Sequence, residues 1–252
     1  MSTETGHIVD AGAELRDNIA RQLRQGDVKE RLLTRWGLAL RYPLLFLKFF
    51  TYTCDQKDVL NPIKAFPADR PHIKALVRLW QYNRMLAVLK SRQQMCTWLF
   101  AALSVWECLA RPGRLVMLQS KREEDAIGDW VSGDGPLGRA RFILNHLPAR
   151  EMLLTEKAVP RAQLEANSNK VGFKVRGSTL WAIPQGASII RQRTASGVLS
   201  DEAAFQPEFA DAYMAAMPCI RGGGWFVALT TADLTDGGFF KKLWENTMES
   251  DA

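Results

Sequence analysis

The sequence predicts an α/β protein in which a mostly parallel sheet is covered by helices on both faces. Short apolar runs of strand length alternate with segments of helical periodicity, which is typical of a parallel sheet built from strand-helix-strand units. The chain of 252 residues, 47% of them hydrophobic, is long enough to bury a full core. In addition, a polar loop joins an apolar strand to an apolar helix within residues 85–110, as in phosphate-binding loops.

The first 58 residues are predicted to form a helical appendage to this core. From Ala11 to about Leu40 the pattern is helical and charged, with Leu15, Ile19 and Leu23 on one face. The apolar run that follows, WGLALRYPLLFLKFF, is interrupted by charged residues and a proline, so it leaves no uncharged segment of about 18 residues. We therefore expect no membrane span, and the N-terminus lacks the basic and apolar regions of a signal peptide.

Residues 59–232 are predicted to form the core domain, and residues 233–252 to begin a lid or linker. A proline-punctuated loop precedes an amphipathic helical pattern at 73–80. After it we predict a strand at 85–89, a helix at 97–110, a strand at 114–120 and a helix at 121–131. A further helix is predicted within RARFILNHLP, followed by an antiparallel hairpin formed by KVGFKV and STLWAIP, with its turn at Arg176-Gly177. Two more buried strands are predicted at 197–199 and 224–232.

The composition argues against a zinc site. The four cysteines show no pair at metal-ligand spacing, and the chain has only three histidines. We therefore expect free thiols and a soluble protein of a reducing, intracellular compartment. The net charge of +6 and the pI near 9.2 are compatible with a polyanionic partner, although the basic residues are scattered rather than clustered.

The loop between the strand at 85–89 and the helix at 97–110 reads KSRQQMCT and departs from the usual phosphate-binding pattern. That pattern is Gly, four residues, Gly-Lys and then Ser or Thr. Lys90 stands where the first Gly belongs, Met95 where the second belongs, and Cys96 where the lysine belongs. Only the closing hydroxyl, Thr97, is kept. From these residues alone, the 90–97 loop is either a degenerate nucleotide site or a chance loop that ends in Thr.

A nucleotide site here needs a cation, a hydroxyl for Mg²⁺ and backbone N–H groups aimed at the phosphates. Lys90 can supply the cation, because its flexible stem reaches across a loop of this size. Thr97 supplies the hydroxyl. Met95 is the difficult position, since its Cβ stands where glycine usually allows positive φ. For Cys96 we expect a small buried residue at the start of a helix rather than a nucleophile.

Asp201 and Glu202 follow the apolar run GVL and form an acidic pair at the end of a predicted buried strand. A P-loop hydrolase needs a carboxylate there to hold hydrated Mg²⁺, and often a second one to align and deprotonate the attacking water. An acidic pair after three apolar residues is common, so taken alone it is equally compatible with a structural role. Its distance from the 90–97 loop is what two neighbouring strands of one sheet would allow.

Three motifs in the same order resemble the large terminase subunits of tailed bacteriophages. The stretch RQRTASGVLSDEAAF resembles their Walker B region, and KSRQQMCTW resembles their variant P-loop, in which the lysine has moved to the first position. The strand end VALTTA resembles their coupling motif. The resemblance covers residues 60 to 240. It implies a P-loop NTPase of the ASCE type that hydrolyses ATP with Mg²⁺ and pumps double-stranded DNA into a procapsid.

The resemblance also assigns roles to single residues. Asp201 would hold Mg²⁺ together with Thr97, and Glu202 would act on the attacking water. The positions that it assigns to nucleotide binding are the 90–97 loop and an adenine-holding region; they are Lys90, Ser91, Arg92, Gln93, Gln94, Met95, Cys96, Thr97 and Phe66. Arg92 is also a candidate catalytic residue, and the coupling motif would use Thr230 and Thr231.

Arg191 is the candidate for an arginine that completes the site of a neighbouring subunit. It stands on the approach to the Walker B strand, where the terminase family has an Arg-Gly step, although Gln192 replaces the Gly here. A guanidinium supplied in this way stabilises the charge that develops on the γ-phosphate. A structural pairing of Arg191 with a local carboxylate is the alternative, and Arg193 is a second candidate.

By the same resemblance, the partners would be double-stranded DNA, other copies of the chain in a ring, a portal protein and a small terminase subunit. The expected location is the host cell cytoplasm, outside the mature virion and away from any membrane. Family members carry a C-terminal nuclease that would begin about where this chain stops. No nuclease activity is therefore expected of these residues.

Two rival functions remain open from the sequence. One is another P-loop translocase such as a helicase or a DNA-repair ATPase, which predicts further motifs after the coupling strand. The other is an ATPase-dead scaffold that binds DNA or a partner, which the loss of both loop glycines favours. The presence of the acidic pair argues against the scaffold hypothesis, because an inactive ATPase site has no need of a water-activating carboxylate.

Overall fold

The computed structural model describes residues 28–129, 131–148, 169–174, 176–231, 238, 240–242 and 245. Its helices are α1 (Val28–Arg41), α2 (Pro43–Phe50), α3 (Pro71–Tyr82), α4 (Cys96–Ala110), α5 (Glu123–Ile127), α6 (Pro136–Asn145), α7 (Ser188–Gln192) and α8 (Phe209–Arg221). Its strands are β1 (Tyr52–Cys54), β2 (Ile63–Ala65), β3 (Met85–Lys90), β4 (Leu115–Gln119), β5 (Lys170–Phe173), β6 (Ser178–Ile183), β7 (Gly197–Ser200) and β8 (Trp225–Thr231).

Six of the described strands form the main sheet, in the order β3-β8-β7-β4-β6-β5. Neighbouring strands run parallel except β5 and β6, which form the predicted antiparallel hairpin. The predicted α/β class with a mostly parallel sheet is thus confirmed. One detail was wrong: the strands before the 90–97 loop and the acidic pair are not neighbours, because β8 lies between β3 and β7 and pairs with both.

Strands β4, β7 and β8 are almost entirely buried, because helices cover both faces of the sheet. Alternate residues of a strand point to opposite faces. Accordingly, Val116 and Leu118 of β4 pack in the core with α3, α4 and α6, whereas Met117 packs in a second core with α7 and α8. Burial on both faces explains why these strands appear in the sequence as continuous apolar runs.

The register of the strands brings distant residues to one edge of the sheet. Lys90, the last residue of β3, lies opposite Thr231, the last residue of β8. Ser200 ends β7 and lies opposite Gln119, the last residue of β4. Because the carboxyl ends of parallel strands meet at the same edge, Asp201, which follows β7, emerges at the same edge as Lys90.

The described part of the predicted N-terminal appendage packs into the core of the sheet. Ala39 and Phe46 are fully buried in the same core as α4. The indole Nε1 of Trp106, in α4, donates to the Ala39 carbonyl at 2.8 Å. The predicted boundary at residue 58 falls in the loop between β1 and β2, which pair antiparallel. Residues 1–27 and most of the predicted lid or linker lie outside the described residues.

Elements that the sequence pattern did not predict are short or have a small-residue buried face. They include the β1–β2 hairpin and α7, whereas α2 lies within the segment predicted to be helical. Helix α8 was also not predicted, since its buried face is largely alanine and Pro218 lies inside it. The helix predicted at 121–131 is only α5, which Gly128 terminates with φ 57°. In the described part of the chain, no helix is both long enough and apolar enough to cross a membrane.

Candidate functional site

A cleft of about 1170 Å³ opens at the carboxyl edge of the sheet. Its lining includes the 90–97 loop, the acidic pair after β7, the start of the β1–β2 loop and the turn before α6. Two of these segments are the loop and the acidic pair that the sequence singled out. The fold therefore brings together residues that are about a hundred positions apart in the chain.

The 90–97 loop contains two left-handed residues that are not glycine. Gln93 has φ 65° and Met95 has φ 61°. Met95 stands at the position of the missing second glycine and is the residue from which α4 starts, with its carbonyl accepting from the Leu99 N–H at 2.8 Å. A left-handed conformation costs a non-glycine residue about 1–2 kcal/mol. Gln93 and Met95 thus adopt a backbone conformation typical of glycine, and this conformation lowers the stability of the folded chain.

Cys96 is the first residue of α4, and its side chain is buried. Its thiol lies 3.7 Å from the Gln94 carbonyl oxygen. Burial raises the pKa of the Cys96 thiol, and nearby Lys90 opposes this only in part. The thiolate needed for nucleophilic attack is therefore disfavoured, as expected for a small buried residue at this position.

Asp201 is buried at the base of the cleft and faces two residues of the 90–97 loop. Its Oδ1 accepts a hydrogen bond from the Thr97 hydroxyl at 3.2 Å and lies 3.9 Å from the Lys90 ammonium. Gln206 holds the backbone, since its amide Nε2 donates to the Asp201 carbonyl at 2.7 Å. Burial raises the pKa of the Asp201 carboxyl, and the cations Lys90 and Arg139 oppose that rise.

Glu202 stands at the mouth of the same site, with 37% of its side chain exposed. Its Oε1 pairs with the Lys90 ammonium at 3.0 Å. Its Oε2 accepts from the backbone N–H and the hydroxyl of Thr231, at 3.4 and 3.3 Å. Glu202 has φ 52°, so a third strained residue that is not glycine belongs to this site. Backbone strain of this kind is often found at functional positions. There it holds a side chain in the orientation that the site needs, which an unstrained backbone would not do.

The two threonines of the predicted coupling motif have different surroundings. Thr231 lines the cleft and bonds Glu202. Thr230 is fully buried, and its hydroxyl accepts from the Ala204 N–H at 3.3 Å and donates to the Thr231 carbonyl at 3.0 Å. Both therefore tie the end of β8 to the segment that carries the acidic pair, but only Thr231 touches the carboxylate.

The remaining residues of the 90–97 loop are solvent-exposed. Arg92, Gln93 and Gln94 line the cleft, whereas Ser91 is not among the described residues that line it. No contact assigns a role to any of these four, so their part in nucleotide binding stays a prediction.

Phe66 and Arg191 do not line the cleft in the part of the chain that the structure describes. The Phe66 side chain is buried in the core beside α4, while its neighbours Ala65 and Pro67 reach the cleft. Arg191 is exposed on α7. A nucleotide contact of Phe66 and a role for Arg191 in a neighbouring subunit both remain predictions.

Arg139 is a charged residue of the cleft, next to the acidic pair, that sequence reasoning missed. It lies in α6, and its guanidinium Nη1 is 4.0 Å from Asp201 Oδ2. Nothing in the segment RARFILN distinguishes it from an ordinary helical arginine. Only the packing of α6 against α4 brings it to the acidic pair.

The side chains of the cleft suit Mg²⁺ better than a metal ion that is coordinated by protein side chains alone. Among the described residues, no group of three or more His, Cys, Asp or Glu side chains could hold a metal ion. Mg²⁺ is usually held by one or two protein groups together with phosphate oxygens and water. The hydroxyl of Thr97 and the carboxylate of Asp201, 3.2 Å apart, would be such a pair.

A substitution at Gly133 tests how tightly the turn before α6 packs on Trp98, in the first turn of α4. Gly133 has φ 67°, and a Cβ there would lie 2.4 Å from the Trp98 ring. Gly113 has the same φ with nothing within 4 Å. We expect Gly113→Ala to cost about 1 kcal/mol of unfolding free energy from backbone strain, and Gly133→Ala about 1–3 kcal/mol more from overpacking. Denaturant unfolding measures both; equal losses would contradict the close packing.

Comparison with known proteins identifies the fold. The crystal structure of the HK97 bacteriophage large terminase is similar, with a TM-score of 0.59 and 14% identity over 84% of this chain. This chain spans only 42% of that protein. The large terminase ATPase domain of Thermus phage P74-26 has a TM-score of 0.45 and 21% identity, covering 63% of this chain and 62% of that one. No family model and no curated protein matches the chain. The likeness to the HK97 protein confirms the predicted P-loop NTPase fold.

Proposed function

We propose that this chain is the ATP-hydrolysing motor domain of a viral DNA-packaging terminase, which moves double-stranded DNA into a procapsid. The observation that carries the proposal is the contact between the 90–97 loop and the acidic pair, in which Lys90 bonds Glu202 and Thr97 bonds Asp201. These are the side-chain types that phosphate binding and water activation require. Support for packaging comes from the three motifs and from the fold shared with a bacteriophage large terminase.

The proposed division of labour follows the burial of each group. Lys90 and the N-terminus of the 15-residue helix α4 would bind the phosphates of ATP. Thr97 and the buried Asp201 would hold Mg²⁺, which when bound neutralises charge on the phosphate oxygens. Glu202 is the carboxylate open to the cleft, so it would take the proton from the attacking water. Thr231 orients Glu202 through two bonds to one carboxylate oxygen.

In this arrangement Lys90 has to exchange one anion for another. Its ammonium pairs with Glu202 at 3.0 Å, so binding a phosphate would draw it away from that carboxylate. Glu202 Oε1 would then be free to accept a proton, while Thr231 still holds Oε2. Phosphate binding and activation of the base would thus be linked through one lysine.

The wider assembly is proposed on the resemblance to the terminase family. The chain would act as a ring of identical subunits around DNA, with a portal protein and a small terminase subunit as partners, in the host cell cytoplasm. Thr230 and Thr231 would couple hydrolysis to DNA movement, since they link β8 directly to the segment bearing Glu202. Arg92, exposed at the cleft, would add a second cation near the phosphates.

Steady-state ATP hydrolysis with and without double-stranded DNA tests the proposal. We expect Mg²⁺-dependent hydrolysis by the purified chain, with a higher rate when DNA is present. Binding of DNA without any hydrolysis would favour the scaffold, and ATP-driven strand separation would favour a helicase. Either result would overturn the packaging motor.

Lys90→Ala is expected to weaken binding of Mg²⁺-ADP by about 10- to 100-fold, because it removes a charged contact worth about 1.5–3 kcal/mol. Cys96→Ala should change the affinity by less than about twofold, since the thiol makes no contact suited to a phosphate. Calorimetric titration measures both. Lys121→Ala is the matched control, as it removes a positive charge from another part of the cleft lining. A larger loss for Cys96→Ala than for Lys90→Ala would show that the 90–97 loop was aligned wrongly with the P-loop pattern.

A further inference from the structure

Arg139 is a mostly buried cation whose role the proposed chemistry leaves open. Only 20% of its side chain is exposed, and it lines the cleft. Its guanidinium lies between two carboxylates, with Nη1 4.0 Å from Asp201 Oδ2 and Nη2 3.8 Å from Asp134 Oδ1. Both distances exceed a hydrogen bond. The arginine therefore faces the acidic pair without being satisfied by it.

One hydrogen-bond donor of Arg139 lacks a partner in the described part of the chain. Its Nε is buried and has no hydrogen-bond partner among the described residues. A buried donor left unpaired costs about 1–3 kcal/mol, so such a group is usually satisfied in a functional state. A guanidinium presents its N–H groups as a planar fork that matches the oxygens of a phosphate. Because Arg139 lines the cleft, an anion of that kind could pair with the guanidinium there.

The position of the guanidinium is set by the helix that follows the 90–97 loop. The Arg139 guanidinium carbon lies 5.6 Å from the centre of the Trp98 ring, in cation–π contact. Trp98 follows Thr97 directly, and its ring packs edge to face with Phe142 at 5.4 Å. Gly133 approaches the same ring so closely that a Cβ there would overlap it. Trp98 thus fixes Arg139 relative to Thr97.

Arg139 and the 90–97 loop approach Asp201 from different sides. Thr97 and Lys90 face Oδ1, whereas Arg139 faces Oδ2. The backbone of a P-loop cradles the inner phosphates of a nucleotide. We propose that Arg139 is a further phosphate-binding cation beside Lys90 and Arg92, supplied by the same chain, that contacts the terminal phosphate of a bound nucleoside triphosphate. This inference rests on the proposed function, since it places a triphosphate in the same cleft.

Nucleotide affinity tests the inference independently of turnover. The dissociation constants of Mg²⁺-ADP and of the Mg²⁺ complex of the β,γ-imido analogue of ATP would be measured on the full chain by calorimetry. We expect Arg139→Ala to weaken binding of the triphosphate analogue by about tenfold, and binding of ADP by less than about twofold. Arg139→Gln should show the same selective loss, because it keeps much of the side chain's length but removes the charge.

Arg141→Ala is the matched control, since Arg141 is a buried arginine of the same helix that does not line the cleft. It should change the thermal stability without changing the ratio of the two affinities. Equal losses for both nucleotides in the Arg139 variants would mean that Arg139 acts only through Asp201. This outcome, or no loss of affinity for either nucleotide, overturns the inference. If Arg139→Ala does not fold, Arg139→Gln decides. Failure of the wild-type chain to bind either nucleotide would instead overturn the proposed function.

Discussion

Glu202→Gln is expected to abolish ATP hydrolysis while leaving nucleotide binding nearly unchanged. The amide keeps the shape of the side chain and can still accept a hydrogen bond from Lys90, but it cannot take a proton from water. General-base catalysis contributes about 10²- to 10⁴-fold, so we expect the rate to fall by about 10³-fold. Steady-state hydrolysis gives the rate, and calorimetric titration with Mg²⁺-ADP gives the affinity.

Glu124→Gln is the control for this substitution, because Glu124 is an exposed glutamate of α5 outside the described lining of the cleft. It should hydrolyse ATP at the wild-type rate. If Glu202→Gln kept a rate within about tenfold of wild type, equivalent to about 1.4 kcal/mol of barrier, the water-activating role of Glu202 would be wrong.

Arg191→Ala is expected to lower ATP hydrolysis by about 10³-fold at every protein concentration, as for an arginine that stabilises the transition state. Arg191 is exposed on α7, where a neighbouring subunit could reach it. Arg193→Ala, at an exposed arginine two residues away, is the matched control and should stay close to wild type. In dilute wild-type protein, activity should rise more than linearly with concentration.

Mixing two inactive variants separates a role in the neighbouring subunit from a local one. In a mixed ring, the intact Glu202 of an Arg191→Ala subunit can receive Arg191 from a Glu202→Gln neighbour. We therefore expect partial recovery of hydrolysis when the two variants are combined. With assembly confirmed by light scattering, no recovery at any mixing ratio would assign Arg191 a structural role.

The central part of the fold could be predicted from the sequence because its strands are buried on both faces. A strand such as β7 or β8 then appears as an uninterrupted apolar run between polar turns, which needs no tertiary information to detect. Helix α8 gave no such signal, because its packing surface is built largely from alanine. The β1–β2 hairpin was missed because its strands have only three residues each and are not fully buried.

The candidate site was predictable where a motif fixes the order of its residues. Lys90, Thr97, Asp201 and Glu202 were assigned from their places in two motifs, and the structure brings all four into contact. Arg139 was not predictable, because the residues around it match no motif and its position depends on how α6 packs.

By itself, the sequence determined the fold class, the order of the sheet's main strands along the chain, and the two segments that meet at the cleft, because these follow from local hydrophobic pattern and motif chemistry. Tertiary structure alone decided that β8 separates β3 from β7 and that α1 and α2 join the core. It also decided that Arg139 faces Asp201. Those features depend on contacts between residues distant in the chain, which no local pattern encodes.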